Sequence, residues 1–153
     1  MPHKRLLLST AFVVGSSLRG GVRKGLGALP GRDRTLIAST ERPRVGDSLD
    51  LDEATRVQFP QANRWDYLLS VPAASQIVAV EPHPARDSEI SVVIAKKRHA
   101  VVYLRDHLPA THRVAKWFWV SRGTVGFGKM ERARRQLDQN GISYEGRVLR
   151  SLD

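Results

Sequence analysis

The residues from Gln76 to Pro82, QIVAVEP, constrain the fold more than any other part of the chain. The run is β-branched and almost entirely apolar, which is typical of a strand covered on both faces in the middle of a sheet. Proline has no N–H to donate to a neighbouring strand, so Pro82 predicts that the strand ends close to Glu81. Because side chains alternate along a strand, Glu81 and His83 would lie on one face if the strand continued past Pro82.

A second strand is predicted just before this run. RWDYLLSV, residues 64–71, is rich in the aromatic and aliphatic residues that strands favour, and PAAS supplies a turn between the two segments. Alternation predicts that Asp66 shares a face with Leu68 and Ser70. Asp66 is therefore a candidate site residue, and the alternative is that it only pairs with Arg64 or a basic helix.

SLDLD, residues 48–52, alternates like a further strand. Asp52 is a good N-cap for a short helix that Pro60 would end. Asp50 would share a face with Asp52 and could join an acidic cluster, or it could be exposed.

Helices are predicted in three other parts of the chain. Apolar residues recur at helical spacing from about His3 to Leu29, and again from Asp87 or Ser88 to about Leu108, where Pro109 follows. KMERARRQLDQNG is a basic helix with Asn140 and Gly141 at its C-terminal end. RVAKWFWVSRG reads as an aromatic strand, whose rings could fill the core or stack on bases, and GRVLRSL as a short last strand.

The charge balance indicates an anionic partner. The chain has 153 residues, enough for a single domain over 1–153, and carries 25 Lys and Arg against 15 Asp and Glu, a net charge of +10. Such a surface attracts nucleic acid, and the exposed face of the basic helix is a candidate contact region. Its candidate residues are Lys129, Arg132, Arg134 and Arg135; plain solvation is the alternative.

The chain contains no Cys, which removes disulfides, thiolate chemistry and Cys-based zinc sites. This composition is compatible with a cytoplasmic location, which we expect. MPHKRLLLSTAFVVGSS resembles a short secretory signal, but basic residues continue beyond it and favour an amphipathic helix. The apolar run is too short for a membrane span, so we expect no membrane insertion.

These elements predict an α/β (α+β) domain with a mixed sheet: a helix, two or three strands that could form a meander, then helices alternating with strands. This order resembles the αβββαβ core of the PD-(D/E)XK, or restriction-endonuclease-like, nucleases, here with an additional C-terminal helix and strand. The resemblance spans about Leu6 to Val120. It rests on Asp66 in the second core strand and on Glu81-Pro82-His83 in the third.

The resemblance implies a metal-dependent nuclease that cleaves DNA or RNA. Asp66 and Glu81 would hold Mg²⁺, which neutralises charge at phosphorus and acidifies water, and Asp50 would join them if it belongs to the acidic cluster. His83 stands where the family has Lys: it could act as a general base, or the substitution could mean that the site is lost. Lys96 or Lys97 on the next helix could position water or phosphate.

Two alternatives remain open from the residues alone. The chain could be a non-catalytic basic module on the same fold that binds nucleic acid or a protein. It could also be an accessory or immunity-type protein whose basic surface matches an acidic partner.

Overall fold

The computed structural model describes residues 5–153, apart from the side chains of residues 124 and 125. Within this range the chain forms a six-stranded mixed sheet with helices, so the predicted α+β class is confirmed. The strands are β1 (Arg23–Lys24), β2 (Asp47–Asp50), β3 (Tyr67–Val71), β4 (Gln76–Arg86), β5 (Val114–Gly126) and β6 (Ile142–Tyr144). The α-helices are α1 (Leu8–Ala11), α2 (Gly31–Arg34), α3 (Leu51–Thr55), α4 (Ile90–Leu104) and α5 (Met130–Gln139).

The strands lie in the sheet in the order in which they follow along the chain. β1 to β4 pair antiparallel as a meander, whereas β4, β5 and β6 are parallel. Parallel neighbours need a crossover connection, and α4 and α5 provide the two crossovers. The change from antiparallel to parallel pairing therefore falls at β4, which lies between β3 and β5.

β4 is buried on both faces, as its continuous apolar run predicts. Ile77 and Ala79 belong to a core cluster that includes residues of α4, and Val78 and Val80 belong to a second cluster on the other face. The aromatic residues of β5 follow the same pattern: Trp119 is fully buried, and its neighbours in sequence are nearly so. The core interpretation of this aromatic segment is therefore correct.

The prediction that β4 ends near Pro82 is wrong, because the strand continues to Arg86. Pairing between β3 and β4 reaches only Val80, and beyond that residue β4 is paired with β5 alone. A proline is tolerated where one edge of a strand has no partner, because no ladder hydrogen bond is lost there. The extension keeps His83 in the strand, on the face of Glu81.

A continuous N-terminal helix is also wrong for the described residues; its predicted start at His3 lies outside them. The segment instead forms α1, a 3₁₀ turn at Ser17–Gly21 and irregular backbone, with Gly15 at φ +87°. Phe12 and Leu18 are nonetheless buried. Within residues 5–153, no helix has both the length and the apolarity needed to cross a bilayer.

Smaller differences concern element ends. α4 begins at Ile90 after a 3₁₀ turn at Asp87–Glu89 and ends at Leu104. The predicted strand GRVLRSL is wrong: the last strand is β6, and Leu149 forms only an isolated parallel bridge to Ile37. α5 ends as predicted at Asn140, with Gly141 at φ +69°, a conformation that glycine adopts without strain.

A buried carboxylate attaches the N-terminal segment to the sheet. Asp47, 4% exposed at the start of β2, accepts hydrogen bonds from the backbone N–H groups of Leu8 (2.8 Å) and Ser9 (3.1 Å). Ser70 Oγ on β3 donates a third at 2.5 Å. The carboxylate thereby satisfies donors at the start of α1 that have no partner within the helix.

We expect Asp47→Ala to lower the free energy of unfolding by about 2 to 4 kcal/mol, because it leaves buried donors without an acceptor. Urea denaturation measures the change. Asp106→Ala, at an exposed position, is the control and should cost less than about 0.5 kcal/mol. Equal effects of the two substitutions would contradict the anchoring role of Asp47.

Candidate functional site

The candidate site is centred on Glu81, which is fully buried on β4. Asp66 immediately precedes β3, and the pairing of Tyr67 with Val80 places it beside Glu81. The backbone N–H of Asp66 donates a hydrogen bond of 2.9 Å to Glu81 Oε1. The sheet register therefore brings the two predicted acidic residues together.

Lys96 on α4 completes the cluster from above the sheet. Its Nζ lies 2.6 Å from Glu81 Oε2 and 3.9 Å from Asp66 Oδ1. The buried residues Ile90 and Val93 hold α4 on this face, so the lysine one turn later reaches the carboxylates. Of the two candidate lysines, Lys96 is the one that contacts both acidic residues.

His83 lies between two carboxylates. Its Nδ1 is 3.3 Å from Glu81 Oε2, and its Nε2 is 3.0 Å from Glu89 Oε2. Trp119 Nε1 donates a 3.0 Å hydrogen bond to the His83 carbonyl, which fixes the backbone at this point. Glu89 was not predicted as a site residue, although its position just before α4, six residues after His83, could have suggested it.

The carboxyl group of Asp66 is strongly perturbed. Burial, reinforced by the negative charge of Glu81, raises the pKa of Asp66 to about 8, against the opposing charge of Lys96. Within residues 5–153, its two carboxylate oxygens take part in no hydrogen bond, and the ammonium at 3.9 Å is their nearest partner. A pKa of about 8 favours the protonated form of Asp66 at neutral pH.

The electrostatics of His83 favour the charged imidazolium. Burial opposes the charge, but the carboxylates of Glu81 and Glu89 outweigh it and raise the pKa of His83. The same contact with His83 lowers the pKa of Glu89. A protonated imidazole cannot accept a proton, so this arrangement favours His83 as a donor to Glu81 and Glu89 over a role as a general base.

Two predicted site residues lie elsewhere. Asp50 caps α3, accepting a 2.8 Å hydrogen bond from the backbone N–H of Glu53, and takes the capping role that was predicted for Asp52. Lys97 Nζ donates a 2.5 Å hydrogen bond to the Asn140 carbonyl and lies 5.7 Å from the centre of the Trp117 ring. Neither residue is brought to Glu81.

The four candidate nucleic-acid contacts lie on α5 or directly before it, and all are exposed: Lys129, Arg132, Arg134 and Arg135. Arg134 lies 5.9 Å from the centre of the Tyr144 ring, where the cation packs on the aromatic face. The others present their charge to solvent.

The cluster contains the kind of donor that a magnesium ion takes in proteins. In the part of the chain that the structure describes, no three His, Asp or Glu side chains form a metal-binding group. Mg²⁺, however, is commonly held by one or two carboxylates, with water and substrate oxygens completing its shell. Asp66 and Glu81 are two carboxylates of this kind. Both oxygens of Glu81 already accept hydrogen bonds, from Asp66 N and Lys96 Nζ, whereas those of Asp66 accept none from residues 5–153.

Comparison with known proteins yields no relative: no family model, curated protein or solved structure matches the chain.

Replacing Asp66 should change how stability depends on pH. The pKa of Asp66 is raised from 3.8, so its contribution to the free energy of unfolding is complete below about pH 4 and is lost as pH rises through about 8. Relative to Asp66→Asn, the wild-type protein should therefore lose on the order of 2 kcal/mol or more of stability between pH 5 and pH 9. Urea denaturation in EDTA measures both profiles, and parallel curves would contradict the raised pKa.

Proposed function

We propose that the chain is a nuclease-like protein that hydrolyses phosphodiester bonds of DNA or RNA with Mg²⁺. The observation that carries the proposal is the position of Lys96, whose ammonium lies between Asp66 and Glu81 from adjacent strands. Two carboxylates can hold a divalent cation, and that ion together with the Lys96 ammonium can stabilise negative charge on a phosphate.

The chain topology supports a restriction-endonuclease-like core. β2, β3 and β4 form an antiparallel meander, α4 follows, and β5 returns parallel to β4. In this proposal, β3 and β4 are the second and third core strands, which places Asp66 and Glu81 at the motif positions. The departures from the pattern are the short first helix and His83 in place of lysine. Lys96 supplies from the helix the ammonium that His83 does not supply from the strand.

Asp66 and Glu81 would hold the metal ion, which supplies charge neutralisation at phosphorus and lowers the pKa of bound water. Lys96 would stabilise negative charge on the phosphate oxygens. His83, whose two ring nitrogens already face Glu81 and Glu89, would keep these two carboxylates in position. Because burial holds a proton on Asp66 up to about pH 8, activity should rise with pH over the neutral range.

One observation favours the non-catalytic alternative. Three nitrogens already lie against Glu81: Asp66 N, Lys96 Nζ and His83 Nδ1. If this network stays closed, the basic surface would bind nucleic acid or an acidic protein without cleaving it, consistent with the net charge of +10.

Cleavage assays separate the two functions. Single- and double-stranded DNA and RNA are incubated with Mg²⁺ or Mn²⁺ and wild-type protein, Glu81→Gln, Lys96→Met or Glu53→Ala. We expect the first two substitutions to lower the cleavage rate about 100-fold or more, because each removes charge from the site. Glu53 is an exposed carboxylate of α3, so Glu53→Ala should cleave at the wild-type rate.

If wild type and Glu81→Gln show the same background cleavage, the proposed enzymatic activity is rejected. Binding of the same oligonucleotides by both proteins, without cleavage, would then support the non-catalytic alternative.

A further inference from the structure

A groove with a volume of about 460 Å³ lies between the segment that leads into α4 and the start of α5. Asp87 and Ile90 line one side, and Lys129, Arg132 and Gln136 lie on the other. The groove is large enough for a ligand fragment and has no wall of large apolar side chains. Its lining therefore favours a charged or polar ligand.

The cations of the groove have no anionic partner of their own. Lys129 and Arg132 are exposed, and neither forms an ion pair with any residue that the structure describes. The carboxylate of Asp87 also lines the groove, but both of its oxygens accept a hydrogen bond from the backbone N–H of Gly128, at 3.1 and 3.3 Å. The groove thus presents two unpaired positive charges beside one carboxylate that is already hydrogen-bonded.

Both sides of the groove connect directly to the Glu81 cluster. Between Asp87 and Ile90 lies Glu89, whose carboxylate is hydrogen-bonded to His83. On the other side, Phe127 precedes Gly128 and packs edge-on against Trp119 at 5.3 Å. Trp119 in turn donates its indole N–H to the His83 carbonyl. On each side, a residue next to the groove lining is thus linked to His83: Glu89 directly, and Phe127 through Trp119.

We propose that this groove binds the phosphodiester backbone of a nucleic-acid strand next to the Glu81 cluster; the substrate class rests on the proposed function. Phosphate oxygens would lie between Lys129, directly before α5, and Arg132 in its first turn, because both side chains line the groove. The proposal restricts the predicted nucleic-acid contacts to Lys129 and Arg132, because Arg134 packs on Tyr144 and Arg135 does not line the groove.

A binding measurement that needs no cleavage tests the groove. Fluorescence anisotropy with labelled single-stranded DNA, duplex DNA and single-stranded RNA, in EDTA, gives Kd between 50 and 200 mM salt. The groove variant is Lys129→Gln with Arg132→Gln. The matched control is Lys24→Gln with Arg32→Gln, which removes the same charge from two exposed residues outside the groove, on β1 and α2.

We expect the groove variant to weaken binding about tenfold or more at 100 mM salt and to reduce the slope of log K against log salt by about 2. The control variant should change the affinity and the salt slope only by the small amount expected from its lower net charge. Unchanged thermal denaturation of both variants is expected, because the substituted side chains are exposed.

Equal weakening by the two double variants would overturn the groove, since affinity would then depend on net charge alone. Failure of wild type to bind any of the three oligonucleotides, or binding only to anionic lipid vesicles, would overturn it as well. The groove variant could lose binding while wild type cleaves no oligonucleotide with either Mg²⁺ or Mn²⁺. That combination would support the binding groove and reject the proposed hydrolysis.

Discussion

The contact between Glu81 and Lys96 is the interaction on which the arrangement of the site depends. A fully buried carboxylate is unfavourable without partners, because it loses its hydration. Lys96 compensates for that loss from α4 at 2.6 Å, and the backbone of Asp66 does so from the start of β3. Removing one partner would leave an uncompensated buried charge, which is more costly than the pair is stabilising. The contact thus ties α4 to two neighbouring strands of the sheet.

The contact between Glu81 and Lys96 gives the two carboxyl groups of the site different environments. Three nitrogens surround Glu81, whereas within the described residues the side chain of Asp66 has only the distant ammonium and a raised pKa. Two titratable groups in contrasting environments are characteristic of sites that hold ions or move protons. In our proposal, Glu81 keeps the site assembled, and Asp66 exchanges its proton for a cation.

Basic side chains lie in two neighbouring regions of this part of the structure. Lys96 and His83 lie at the carboxylates themselves, and Lys129 and Arg132 lie in the adjacent groove. The extension of β4 beyond Pro82 carries the chain from Glu81 past His83 into the turn before α4. This stretch of backbone therefore positions residues of the proposed reaction site and one side of the proposed binding groove, whereas the start of α5 supplies the other side.

The sequence by itself determined strands β2 to β5, helices α4 and α5 and which face of β4 carries Glu81 and His83, because residue periodicity is a property of consecutive residues. It also indicated that Asp66 and Glu81 lie close together, since adjacent strands joined by a short turn pair antiparallel. Only the tertiary structure decided between Lys96 and Lys97, gave the capping role to Asp50 and brought Glu89 to the site. The contacts of Lys96 and Glu89 depend on where separate elements meet in space, which the spacing of residues within one element does not specify. The cap depends on the residue at which β2 ends and α3 begins.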